Sequence, residues 1–261
     1  MDKLSILVGE HLLQVKMNSA KTMNFFRKKY NHFIVQEGKT DLYIILEEGY
    51  GVPFLNYQVE IVETKNNITF KRADYLIEID TDYKQAKIQF YDELSLKHAL
   101  MNLYSCFIVH NNWGLLVHSS CALENGNAHV FAGHSGAGKS TTAKLSQPRE
   151  LLSDEATILK ISQDQITVFN SPFRSELASD GNTRSTNLNS IQILNQALSN
   201  KRVTLKKREA LIQLTDKVFY WAYRPTETLK ILNLLKDLVN NVHTYELYFR
   251  KDNTFWELIS C

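Results

Sequence analysis

The chain reads as a mixed α/β protein: a β-rich N-terminal portion followed by an α+β core built around one strand–loop–helix unit. Three observations predict this. Short apolar runs alternate with turn signals up to residue 93. A helix-period apolar pattern then begins at Leu94, and Val130-Phe131-Ala132 runs as a strand end into a glycine loop that opens a helix over Thr141–Leu145. The division falls where the helical pattern starts, giving a β-rich portion, 1–93, and a core, 94–261.

In the first portion the clearest pair of strands is Tyr57–Thr64 and Ile68–Arg72, hinged at Lys65-Asn66-Asn67. A second pair, Tyr75–Asp80 and Ala86–Tyr91, turns at Thr81–Lys84. Strands at Leu12–Met17, His32–Gln36 and Leu42–Leu46 complete an antiparallel β-rich portion with nothing catalytic in it. From Leu94 to Val109 the positions Leu96, Leu100, Leu103, Tyr104 and Phe107 recur at three and four, a helix with one buried face. Leu115–Leu123 and Ala128–Ala132 form a hairpin across Glu124-Asn125-Gly126-Asn127, and Asn-Gly is a strong hairpin signal. Leu151-Leu152-Ser153 is a short strand ending in Asp154-Glu155. Thr157–Ile161 with Gln165–Val168 read as another hairpin, and Ser179–Ser190 as a polar, mobile loop able to close over a site. A strand at Ile191–Leu194, helices near Lys207–Val218 and Thr226–Val239, and a closing strand at Tyr245–Phe249 end the reading.

The loop carries the chemistry. Gly133-His134-Ser135-Gly136-Ala137-Gly138-Lys139-Ser140 fits G-x-x-x-x-G-K-[ST] between a strand and a helix. Gly133, Gly136 and Gly138 let the backbone turn its N–H groups inward around phosphate oxygens, with Ser135, Ala137 and Thr141 adding amides to the cradle. Lys139 is then in reach of the β and γ phosphates of a nucleotide, and the Ser140 hydroxyl suits Mg²⁺. The acids after the loop decide what is done with such a ligand. Asp154 and Glu155 end an apolar strand where an α/β sheet presents its ligand edge; one carboxylate suits Mg²⁺ and the other a proton from an attacking hydroxyl. His118 lies fifteen residues before Gly133 on the strand paired with the loop's own strand.

Composition sets bounds. With 261 residues, 44% hydrophobic and 22% charged, the chain is an ordinary globular protein with room for a sizeable core. A net charge of +2 gives no argument for nucleic acid or a membrane surface. No apolar run approaches the roughly 18 residues of a membrane span. The first residues lack a signal-peptide pattern, and three cysteines without ligand spacing suit a reduced, cytoplasmic setting.

The string His118-Ser119-Ser120, then VFAGHSGAGKST, then LLSDE resembles the ATP-binding domain of the HPr kinase/phosphorylase superfamily, whose core is related to that of phosphoenolpyruvate carboxykinase. The resemblance covers roughly 114–258, including the segment NSPFRSEL and the tail from Val242. It implies a serine kinase using ATP and Mg²⁺. Asp154 would act on the acceptor hydroxyl, Glu155 would assist the metal, and His118 would lie close to the reacting phosphate. Arg174 and Glu176 are its further candidates for phosphate and metal contact. Glu155 stands where the family more often has Asp, and the later glycine-rich signature of true HPr kinases is missing. The chain is thus more similar to the shorter members associated with modified-peptide gene clusters, including lasso-peptide precursor kinases. The expected partner is a peptide or small protein with an acceptor serine, recruited by the N-terminal portion through strand addition; a homo-oligomer is allowed. A kinase acting on free serine and a nucleotide-sensing regulator are the alternatives.

Overall fold

The computed structural model describes residues 2–175, Leu177 and 183–260. It divides into two compact units, Met1–Phe107 and Ile108–Cys261, so the division falls inside the long helix instead of at its start.

In the first unit, β1 (Asp2–Val8) and β2 (His11–Met17) form a hairpin, followed by α1 (Ala20–Lys29), β3 (Ile34–Val35), β4 (Leu42–Glu48), β5 (Glu60–Glu63), β6 (Asn67–Arg72), β7 (Tyr75–Asp80) and β8 (Gln85–Phe90). Among the described residues these eight strands make one sheet in the order β3-β1-β2-β4-β8-β7-β6-β5. The expected antiparallel arrangement needs correcting, because β4 runs parallel to both β2 and β8. Side chains alternate cleanly on β4, with Leu42, Ile44 and Leu46 buried and Tyr43 and Ile45 exposed. His32–Gln36 is a short 3-10 turn followed by the two-residue β3, and Tyr57–Thr64 shrinks to β5 at the sheet edge. Two elements of this unit, β1 and α1, are additional to the strands read from the sequence. The helix is capped by the Ser19 hydroxyl, which accepts from the Thr22 N–H, and ends on Arg27, Lys28 and Lys29, charges that suit its C-terminus.

Helix α2 (Glu93–His110) follows. The expected single buried face is also corrected, since every residue from Ala99 to Val109 is buried. A helix apolar all round belongs inside a protein. Its buried Asn102 is satisfied by donating to the Tyr75 hydroxyl, 3.1 Å away.

The second unit contains β9 (Gly114–Glu124), β10 (Asn127–Ala132), α3 (Lys139–Leu145), β11 (Leu151–Ser153), β12 (Ala156–Ile161), β13 (Ile166–Phe169), β14 (Ser185–Gln196), β15 (Lys201–Thr204), α4 (Lys207–Thr215), α5 (Pro225–Asn241) and β16 (His243–Phe249). Asn125 and Gly126, with φ of 51° and 78°, make the tight turn between β9 and β10 that Asn-Gly announces. The pairings β10-β9-β12-β13-β14 close on themselves because β14 also pairs with β10, in parallel. Two long strands make closure possible. The first half of β9 pairs with β12 and the second with β10, while β14 leaves β13 and continues between β10 and β16. Of the expected polar loop Ser179–Ser190, residues 179–182 lie outside the described residues, and Ser185–Ser190 is strand. Strand pairing on both sides outweighs the polar composition there. Helix α4 stops at Thr215, short of the expected Val218.

The core of this unit lies between the sheet and α4 and α5, with Val117, Val130, Leu159, Ile193, Leu235 and Leu238 among its members. A second cluster, Phe131, Leu247, Phe249, Phe255 and Trp256, covers the other side of β10 beneath α3.

Candidate functional site

Strand β10 delivers the loop, and two features of its surroundings shape it. Gly133 is required by close approach, since a Cβ there would lie 2.6 Å from the Ala137 Cβ. Gly138 has φ of 111°, and a Cβ on it would meet the Phe249 ring at 2.6 Å. Ala137 is thus a buried brace and not a lining residue. The Ser120 hydroxyl donates to the Lys139 carbonyl at 3.1 Å, and Thr142 donates to the same oxygen at 2.9 Å, which fixes the first turn of α3.

Beside the loop is a cleft of about 340 Å³ lined by His118, Ser135, Gly136, Gly138, Lys139, Ser140, Thr141, Asp154, Glu155, Ser175 and Gln196. Topology explains the convergence. Both β10 and β11 run antiparallel to β9, so Ala132 and Ser153 end on the same side and hand over to the loop and to Asp154. Ala132 pairs with Ser119, which sets His118 level with the start of the loop; Ala156 pairs with His118, which sets the acid pair beside it. Ser119, Ser153 and Thr157 tie these strands together, with Ser119 Oγ 2.7 Å and Ser153 Oγ 2.5 Å from Thr157 Oγ1.

The charges are held firmly. Lys139 is buried and its Nζ donates to the carbonyls of Gly133 and His134, each at 3.0 Å. Burial pushes its pKa down, the nearby Lys217 adds to this, and Glu155 opposes it. Asp154 is buried, and its two oxygens accept from the backbone N–H groups of Ser175 and Leu177 at 3.0 and 2.9 Å. That carboxylate therefore fastens the backbone at Ser175 and Leu177. The His118 imidazole is driven down to about 4, first by burial and then by Lys139 and Lys217, so it is neutral near pH 7. Its ring lies against Phe219, centroids 5.1 Å apart.

Arg174 is elsewhere. Its guanidinium donates to the carbonyls of Leu151 and Ser171 and to Asn170 Oδ1, so it pins β11 to the following connection and is not among the cleft residues. Glu176 lies outside the described residues. His134 is exposed. Among the described residues no three His, Cys, Asp or Glu side chains gather as a metal cluster. Ser140 and Glu155 do line one cleft, and that sparse donor set fits Mg²⁺, which keeps several waters and takes one or two protein ligands alongside phosphate.

Sequence reasoning missed Gln196, Ser175 and Lys217. Gln196 ends the strand parallel to β10 and donates to the Gly136 carbonyl at 2.8 Å, a position that only the pairing reveals. No helix among the described residues is long and apolar enough to cross a membrane. No curated protein matches the chain. A family described as SynChlorMet cassette protein ScmC matches residues 76–260. That match spans well over half of the sequence and includes the whole cleft, and the chain therefore belongs to the ScmC family.

Proposed function

We propose that the protein is an ATP- and Mg²⁺-dependent kinase with an HPr kinase-like core, working in the cytoplasm, that transfers the γ-phosphoryl group to a serine hydroxyl of a peptide or small protein. The observation that carries this reading is the gathering of Lys139, Ser140, His118, Asp154 and Glu155 around one cleft. ATP would supply the phosphoryl group and Mg²⁺ would offset the charge of its phosphates. Lys139 and the loop amides would bind the β and γ phosphates, and Ser140 with Glu155 would hold the metal. Asp154, oriented by two backbone N–H groups, would take the proton of the acceptor hydroxyl as its oxygen bonds to phosphorus and ADP departs. Neutral His118 would present a hydrogen bond to the phosphoryl oxygens without competing with Lys139 as a second cation.

The acceptor peptides to try first are those encoded beside this chain. The test is to mix such a peptide with the protein, ATP and Mg²⁺ and look for the mass of one added phosphate. Asp154→Asn is expected to keep nucleotide affinity within a few-fold and lose turnover by roughly 10³, the scale of a lost general base. Phosphate transfer to free serine alone would point to a metabolite kinase. Unchanged behaviour of Asp154→Asn with no phosphoproduct would point to a nucleotide-sensing regulator.

A further inference from the structure

The stretch after α4 reads Lys217-Val218-Phe219-Tyr220-Trp221-Ala222-Tyr223-Arg224 and is the densest aromatic run in the chain. Its start is fastened to β9 on the side away from β12. The His118 N–H donates to the Lys217 carbonyl at 2.6 Å, the Phe219 N–H donates to the Leu116 carbonyl at 2.8 Å, and Val117 faces Val218 in an antiparallel bridge. Its end is fastened too, by Tyr220 donating to Glu227 and by Pro225 opening α5. Between these anchors Phe219, Tyr220, Trp221 and Tyr223 are each half-buried, with Tyr220 packed against the core of this unit. Phe219 lies on His118, so the strip continues directly from the cleft wall.

We infer that Phe219–Tyr223 forms the wall on which a peptide acceptor lies, and that the acceptor serine is flanked by bulky apolar or aromatic side chains. This rests on the kinase reading and narrows it. The strip joins the cleft at His118, beside the acid pair, which is the end the Lys139 ammonium and the γ phosphate would share. A free amino acid has no flanking side chains to lay on such a wall, so the wall favours a peptide.

The test uses the full chain with ATP and Mg²⁺ and two synthetic nonapeptides, each with one central serine, flanked by phenylalanines in one and by glycines in the other. The phenylalanine peptide is expected to be phosphorylated with kcat/KM higher by about tenfold or more, the effect of one or two ring contacts. Trp221→Ala and Tyr223→Ala should each erase most of that preference through KM for peptide, with nucleotide affinity by calorimetry staying near the wild-type value. Trp221→Phe, which keeps a ring, should retain the preference. Leu198→Ser, at an exposed turn, serves as the control. Equal use of both peptides, or a preference that survives both alanine variants, overturns the wall and leaves the kinase reading standing. A loss of nucleotide affinity instead of peptide affinity overturns it in favour of a base platform. Transfer to neither peptide, with nucleotide still bound, overturns the wall together with the peptide-kinase reading.

Discussion

At Lys139 two demands meet. The buried ammonium donates to the neutral carbonyls of Gly133 and His134, and burial and Lys217 disfavour its charge while Glu155 favours it. In folding terms this is an expense, because a buried ammonium loses hydration that two carbonyls and the nearby Glu155 return only in part. An incoming phosphate would provide further countercharge. Replacing Lys139 with Met, similar in length and uncharged, is therefore expected to lower nucleotide affinity by about 10- to 100-fold, the range for charge-assisted hydrogen bonds. Thermal stability should stay level or rise. Calorimetric titration with ATP and a melting curve check the two halves; a marked fall in Tm would mean that Lys139 stabilises the loop itself. The residue types of the loop were readable because glycine, lysine and hydroxyl at fixed spacing have few other uses. Arg174 and Gln196 were not, because a guanidinium spent on carbonyls and an amide supplied by a neighbouring strand look like any other polar residues in sequence.

Elements were legible where local pattern and tertiary role agree. The hairpin strands β7 and β8 follow the alternation closely, and the strand feeding the loop, buried from Ala128 to Ala132, follows its apolar run and the Asn-Gly turn before it. Helix α2 was readable as a helix but not as one buried all round, since periodicity reports one apolar stripe and says nothing about what covers the opposite face. Helix α1 escaped because its polar majority hides a four-residue buried set, Thr22, Met23, Phe25 and Phe26; the Ser19 cap and basic last turn were its available signals. The C-terminal 3-10 segment, Asn253–Leu258, shows how a short element supports the site. Trp256 is buried, donates its Nε1–H to the Ser146 hydroxyl at 3.2 Å, lies edge-on to Phe131 of β10 and carries the Arg149 guanidinium 4.1 Å from its ring centre. It thus holds the end of α3 to the strand that delivers the loop. Trp256→Ala is expected to cost about 3–5 kcal/mol, the usual result for deleting a buried aromatic, measured as a lowered urea midpoint with an unchanged slope. A cost below about 1 kcal/mol would mean that the segment is peripheral to the core.

Across the whole molecule, the closed path of pairings in the second unit could not be read from sequence, because β9 and β14 each change partners midway and no local pattern records that. Three histidines are held away from their usual range. His98 in the first unit and His118 and His129 in the second are each lowered to about 4. Burial is the leading cause in all three, followed by Arg72 for His98, Lys139 for His118 and Arg202 for His129. Above the ordinary histidine value of about 6.5 both folded and unfolded chains carry these rings neutral, and they add nothing to the pH dependence. Between about 6.5 and 4 the unfolded chain binds protons that the folded chain refuses, so stability rises with pH across that window and is lost on acidification. Discounted for the part of each ring that solvent still reaches, the loss is on the order of 2 kcal/mol per histidine by pH 4. Denaturant midpoints taken from pH 7 to 4 should therefore fall steeply below pH 6.5, with folding coupled to proton release in that range. His118→Asn should make the fall shallower and leave stability near pH 7.5 little changed. If instead the midpoint is flat down to pH 5, these rings titrate normally in the fold, and His118 would already be a cation at mildly acidic pH, which would remove the neutral hydrogen-bond donor that the proposed phosphoryl transfer assigns to it.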